Sequence, residues 1–411
     1  MIFSNSIETK RVVTLYCIGF LLVFGYAFAR PCIDSIFLEH YSHDDLPLAW
    51  LLTSLASALV IAFYNRFNQR YAILSLYGAT SLVCALSLAL LLFLYFLGSN
   101  TSVFIMYIWK ELYMVVLMET YWSFADIVFS TRTARHTYGF AMAISSLGGL
   151  LGNVAVGPAA NYLGTKFALW FLVAFLLLGY IIAFLGRKIA DEKPDASKSK
   201  ASVDVGIKTL LNSNYLVPLA ILACTIQVVT GLIDYQFNGM LQESYVNTDL
   251  RTELLGHIHA TVNLIGITIQ LCMGPILRMF GIGATFKSIP LLLSGILLIF
   301  IVVPQFALLI TVKIANKALD YSLYRGVKEM LYIPLTREEK TQGKGLIDIF
   351  MYRLARGLSS LILMAMIALG LASYVMQFSL LLTVLWLALA SVIIKRYRSL
   401  TRTKSHEARA S

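Results

Sequence analysis

Charge is what this chain has least of. Asp, Glu, Lys and Arg make up 13% of its 411 residues while 58% are hydrophobic, against roughly 25% and 45–50% in soluble domains. That scarcity excludes a water-solvated fold, because no such fold can hide so much apolar surface. Cysteine is scarce too: Cys17, Cys32, Cys84, Cys224 and Cys272 lie in or beside apolar segments, with no C-x-x-C pair and no His at ligand spacing. A disulfide framework and a metal centre are thereby excluded, and the thiols read as small apolar side chains. Catalytic patterns are missing as well. No G-x-S-x-G, Walker loop or spaced His cluster occurs, so no enzyme, catalytic residue or resident cofactor is expected, and energy for any work must come from gradients or exchange.

What is present is a series of apolar runs, each close to the roughly 20 residues that cross a hydrocarbon core about 30 Å thick. They predict helices near 12–33, 46–64, 72–97, 103–129, 138–160 and 167–186, then 215–241, 255–279, 284–303, 305–324, 345–371 and 374–395. The fold expected is all-α, a polytopic membrane protein of 12 transmembrane helices in two six-helix bundles, the layout of the major facilitator superfamily. The expected domains are a first bundle at 1–186, a polar linker at 187–214 containing DEKPDASKSKAS, a second bundle at 215–395 and a basic tail at 396–411. Lys10 and Arg11 before the first apolar run resemble a signal peptide, but no small-residue cleavage site follows. That run is expected to be a retained helix.

The net charge of +11 is distributed by topology. Of 33 Lys and Arg, 25 fall in loops on one side of the predicted helices, and only Lys166 and Arg251 fall on the other. Cytoplasmic loops collect basic residues, so both termini and the linker are expected in the cytoplasm, of a bacterial inner membrane. The same bias explains the basic excess without nucleic acid as a partner. Six cations remain at membrane depth: Arg30, Lys110, Lys313, Lys317, Arg353 and Arg356. Each costs at least about 2.5–3.5 kcal/mol there unless it faces a bundle interior or a wet cavity.

These charges fall into constellations. Tyr26, Arg30 and Asp34 are spaced i, i+4, i+8 in the first helix, with Pro31 expected to break it. In the fourth helix Glu111, Glu119, Trp122 and Asp126 share an arc of about 80°. That stripe reads either as a pathway wall with a protonatable carboxylate or as structural pairing with neighbouring cations. The seventh helix aligns Gln227, Asp234 and Asn238, and the tenth aligns Lys313, Lys317 and Asp320, of which the last two can pair locally. Arg353 and Arg356 come together in the eleventh helix, where two guanidinium groups suit a carboxylate or phosphate between them. His259 in the eighth reads as a proton-coupling group or as a simply hydrogen-bonded side chain.

The segment Asn316–Ser360 is the most specific stretch. Tyr321-Ser322-Leu323, then Lys328-Glu329-Met330, Tyr332-Ile333-Pro334-Leu335, Gly343-Lys344, Ile347-Asp348 and Arg353-Leu354 resemble the signature of nucleotide translocases that exchange ATP and ADP in plastids and intracellular bacteria. Arg30 and Asp34 are similar to that family's R-D-x-K-D, Glu111-Leu112 to its A-E-L-W, and Tyr121–Asp126 to its F-W-G-F-A-N. The resemblance implies a facilitator-like fold and alternating access. The family's first-helix Lys is here Ile33, its seventh-helix Glu is Asp234, the Lys four residues on is Asn238, a tenth-helix Lys is Asp320, and the acid after Y-S-L-F is Arg325.

The function expected is a secondary transporter of a nucleotide or related phosphorylated metabolite. Its substrate contacts would be Arg30, Lys313, Lys317, Arg353, Arg356, Asp234 and Asn238, with Tyr26, Trp122 or Tyr321 stacking a base. Asp34, Glu111, Glu119, Asp126, His259 and Asp320 would couple ions or gate. Its partners would be an anionic solute, the lipid bilayer, and a proton or counter-solute. The alternative is a proton-coupled carrier of a non-nucleotide organic solute. A membrane enzyme or lipid flippase would need a reacting or lipid-handling constellation that the sequence does not display.

Overall fold

The computed structural model describes residues 6–68, 70–128, 134–188, 203–336, 339–344, 347 and 351–410. They are helical almost throughout, as hydrocarbon demands: with no water to satisfy N–H and C=O groups, an apolar segment must bond its backbone internally. The first six long helices are α1 (Ser6–His40), α2 (Leu46–Asn68), α3 (Ile73–Phe96), α4 (Asn100–Val128), α5 (Ala134–Leu163) and α6 (Thr165–Gly186). A short helix, Val203–Asn212, precedes α7 (Leu216–Ser244). The stretch Thr248–Val302 is two helices joined at Gly281, whose φ of 74° breaks the ladder. Its arms are α8 (248–280) and α9 (282–302). Next come α10 (Phe306–Leu319), α11 (Tyr352–Ala368) and α12 (Val375–Ala410). Twelve long helices thus occur among the described residues, in the order the apolar runs predict.

Three boundaries differ from expectation. α1 runs through Pro31 to His40 without a break. The missing N–H and the ring of a proline cost a helix one bond and some straightness, and the continuous apolar segment outweighs that here. α10 does not stop at Tyr324. It passes through a π-helical turn at Asp320–Tyr324 and resumes as Arg325–Leu331. Arg251, expected in an outside loop, lies in the first turn of α8 and is 2% exposed.

The chain divides into two compact units, Met1–Ser42 with Leu55–Lys198 and Gln242–Asn263, and His43–Ser54 with Ser199–Leu241 and Leu264–Ser411. In the first unit α1 and α5 meet backbone to backbone. A Cβ on Gly148 would stand 2.6 Å from the Phe20 carbonyl oxygen, and one on Gly152 would collide with that of Phe24. Small residues are what allow such an approach where helices pack in lipid. Gly148→Ala is therefore expected to lower the unfolding midpoint of purified protein by the equivalent of about 1–3 kcal/mol. Gly295→Ala, whose Cβ meets nothing within 4 Å, is the control and should leave it nearly unchanged. α3 joins α6 through the Ser81 hydroxyl, which donates to the Leu176 carbonyl at 2.7 Å.

In the second unit Phe286 of α9, Tyr324 of the π turn and Trp386 of α12 form an aromatic column with centroids 6.4 and 6.3 Å apart. Much of the family-like segment that follows is scaffold. Tyr215 donates to the Leu331 carbonyl at 2.9 Å, Ser213 to Glu339 at 2.7 Å, and Lys344 pairs with Glu329 at 2.6 Å. Burial raises the Tyr215 hydroxyl pKa above its usual value, which keeps that group a donor. Asp348 lies outside the described residues.

Candidate functional site

Each unit holds one cluster of buried charge. In the first, the i, i+4, i+8 spacing puts Tyr26, Arg30 and Asp34 along one side of α1, and α4 brings Lys110 and Glu111 to meet them. The Lys110 ammonium pairs with Asp34 Oδ1, while Arg30 Nε stands 3.8 Å from Asp34 Oδ2. The Tyr26 hydroxyl donates to Glu111 Oε1 at 3.2 Å. Lys110 Nζ also lies 3.4 Å from the centroid of the Tyr107 ring, a contact that stabilises a cation through the ring's negative face. Glu111 is thus tied to α1 through a tyrosine hydroxyl. Glu119 and Trp122 are half-buried, Trp122 against the Tyr121 ring at 5.1 Å, and Asp126 is exposed.

In the second unit Asp234 of α7 accepts two lysines from α10. Lys317 Nζ lies 2.9 Å from Oδ2 and Lys313 Nζ 3.4 Å from Oδ1. Lys313 also sits 3.7 Å from the Phe237 ring centroid. The expected local pair of Lys317 with Asp320 is replaced by this contact between helices. Lys313 and Lys317, one turn apart, share a face, and Asp234 serves both. Asp320 opens the π turn and is not among the salt-bridge partners of either lysine. It is 6% exposed.

The remaining predicted residues are dispersed. Asn238 turns its amide back onto the Asp234 carbonyl of its own helix at 2.7 Å. The Tyr321 ring is covered by the Arg325 guanidinium at 4.9 Å, and its carbonyl accepts Gln270 at 2.8 Å. His259 is buried at 9% exposure. On α11, Arg356 is exposed on the side opposite the apolar stripe of Leu354, Leu358 and Leu361. The Arg353 side chain lies outside the described residues, so the Arg353–Arg356 pairing is not described. Sequence reasoning counted Lys110 at membrane depth but gave it no role. The signal was there: an aromatic three residues earlier, Tyr107, and an acid alongside, Glu111.

The profile of the TLC ATP/ADP transporter family matches residues 83–312 and 306–402. The chain belongs to that family. Relatives of this TLC-family chain include the ADP,ATP carrier protein 3 of Rickettsia felis, 24% identical over 315 residues that cover 65% of this chain and 63% of that one. The ADP,ATP carrier protein 1 of Chlamydia trachomatis is 26% identical over 314 residues, 64% of this chain and 58% of that one. The matched region therefore spans less than two thirds of these relatives. Among solved structures, a bacterial homolog of the human lysosomal transporter Spinster, inward-facing and unoccupied, superposes with a TM-score of 0.69 at 10% identity over 97% of this chain and 99% of that one. The nucleoside transporter NupG gives 0.61 at 9% identity over the same shares. These likenesses establish the fold of the TLC-family chain as that of a multi-pass transporter.

Proposed function

We propose that this chain is a secondary transporter that carries a nucleotide or related phosphorylated metabolite across a membrane by alternating access. The observation that carries the reading is the Asp234 cluster. Two ammonium groups, with side chains 6% and 11% exposed, share one carboxylate, which gathers positive charge at membrane depth. An anion relieves that charge, and a phosphate oxygen is a strong acceptor for it. The relatives are ADP,ATP carrier proteins, which points to the same class of solute. In this reading the bundles at 1–186 and 215–395 rock against each other and exchange with a counter-solute supplies the energy. The excess of Lys and Arg on one side supports cytoplasmic termini and a bacterial inner membrane.

One observation favours a second reading, a proton-coupled carrier of a non-nucleotide organic solute. Positions that carry cations in the resembling family are uncharged or acidic here: Ile33 is fully buried, Asn238 is turned onto its own helix, and Asp320 is a buried acid. A thermal-shift series with ADP, AMP and adenosine on purified protein separates the two, since a ligand that binds the folded state raises its apparent stability. Stabilisation that grows with the number of phosphates is expected. Equal responses to all three, or none, would count against a phosphorylated solute.

A further inference from the structure

The two charge clusters share one core, a carboxylate paired with a buried lysine, unit by unit. Asp34 lies in the second half of the first helix of its bundle, and Asp234 lies in the second half of the first helix of the other. Each takes its most buried cation from the fourth helix, Lys110 from α4 and Lys313 from α10. The lysine side chains are 3% and 6% exposed and the carboxylates 16% and 17%. Each ammonium rests on an aromatic face, Tyr107 of the lysine's own helix at 3.4 Å and Phe237 of the aspartate's helix at 3.7 Å. Each carboxylate meets a further cation, Arg30 from its own helix or Lys317 from the lysine's helix, so the aspartate–lysine core repeats while its surroundings differ. Transporters of this architecture are built from repeated halves, and equivalent positions carrying the same charges in the same burial are what a repeated device looks like.

From this repetition we infer that Lys110 holds an anion subsite in the first unit, the counterpart of Lys313 in the second, and takes a phosphoryl or carboxylate oxygen of the solute. Asp34 is the placeholder that neutralises the ammonium until the anion arrives. The inference rests on the reading of the chain as a carrier of a phosphorylated solute. Arg30 stays on α1 beside Asp34. Lys110, at the alanine position of A-E-L-W, adds a second cation that reaches Asp34 from the neighbouring helix, next to Ile33, which stands where the resembling family has Lys. A lone structural ion pair would explain Lys110 and Asp34 but not the recurrence of a buried carboxylate–lysine pair on the corresponding helices of the other unit.

The probe is inorganic pyrophosphate, with ADP in parallel, titrated against purified protein by thermal shift and by equilibrium binding. Lys110→Met is expected to weaken pyrophosphate binding at least tenfold. Asp34→Asn, which frees the ammonium, is expected to tighten it or leave it equal. The double variant Asp34→Asn/Lys110→Met removes the pair but leaves Arg30, so it should recover part of the stability lost in Lys110→Met yet bind as weakly. It serves if the single lysine variant fails to fold. Wild-type pyrophosphate affinity in either variant lacking Lys110 would overturn the inference, since the pair would then be structural only. So would a wild-type protein that binds no pyrophosphate. ADP binding that persists without Lys110 would leave the transport reading standing while removing this subsite. Pyrophosphate binding that depends on Lys110 with no response to ADP would do the reverse.

Discussion

Asp234→Asn is expected to destabilise the protein by about 3–5 kcal/mol, the cost of breaking a buried pair by removing one partner. The substitution leaves Lys313 and Lys317 facing an amide, two like charges with side chains 6% and 11% exposed. Neither can reach water cheaply from membrane depth. The effect is read as a shift in the unfolding midpoint of purified protein. The triple variant Asp234→Asn/Lys313→Met/Lys317→Met should recover most of the loss, because replacing a whole buried ionic group by apolar side chains of similar volume is close to neutral. That variant should nevertheless lose any response to phosphate-bearing ligands. The pair of results separates what the cluster does for folding from what it does for a solute. Wild-type stability in Asp234→Asn would mean that the carboxylate is not what neutralises the two lysines.

Arg251→Met is the second large effect, in the first unit and away from the charge clusters. The guanidinium donates from Nε and Nη2 to the Tyr245 carbonyl at 2.9 and 2.6 Å, and from Nη1 to the Ser35 carbonyl at 3.0 Å. It ties the end of α1 to the turn that opens α8. Beside it the Asp249 carboxylate accepts from the Thr165 backbone N–H and hydroxyl at 2.7 and 2.6 Å, fastening the start of α6 to the same turn. Removing the guanidinium takes two donors from the Tyr245 carbonyl and one from that of Ser35, where a hydrogen bond to a charged group contributes about 1.5–3 kcal/mol. A loss of several kcal/mol in unfolding experiments is expected. Arg251→Lys should recover only part of it, since an ammonium cannot present the planar fork that reaches both carbonyls.

Much of the fold was legible because the bilayer leaves few options. Apolar runs of spanning length can only be helices, and the alternation of basic loops predicted an even number of them. Where the helices end was less legible. Pro31 suggested a break, yet the chain stays helical to His40. The π turn at Asp320–Tyr324 leaves no mark in hydropathy. Spacing along one helix pointed Lys317 to Asp320, although Asp234 of α7 is its salt-bridge partner. Spacing reports neighbours on a single helix. It is silent on what an adjacent helix presents, and the buried pairs of both clusters cross between helices. Arg251 was missed for the same reason: its partners, the carbonyls of Ser35 and Tyr245, have no sequence signature at all. The family-like motif was legible as likeness, but part of its conserved-looking chemistry is scaffold, as the Tyr215, Ser213 and Lys344 contacts show.

Uptake by the purified protein in liposomes tests the central claim most directly. The vesicles are loaded with ADP and labelled ATP is supplied outside, with protein-free vesicles as the baseline. The account predicts saturable uptake above that baseline, and a loss of at least tenfold in the Lys317→Met protein, as expected when a charge-assisted bond to phosphate is removed. No uptake of labelled ATP, ADP or any other nucleotide by protein shown to be folded and inserted would contradict it.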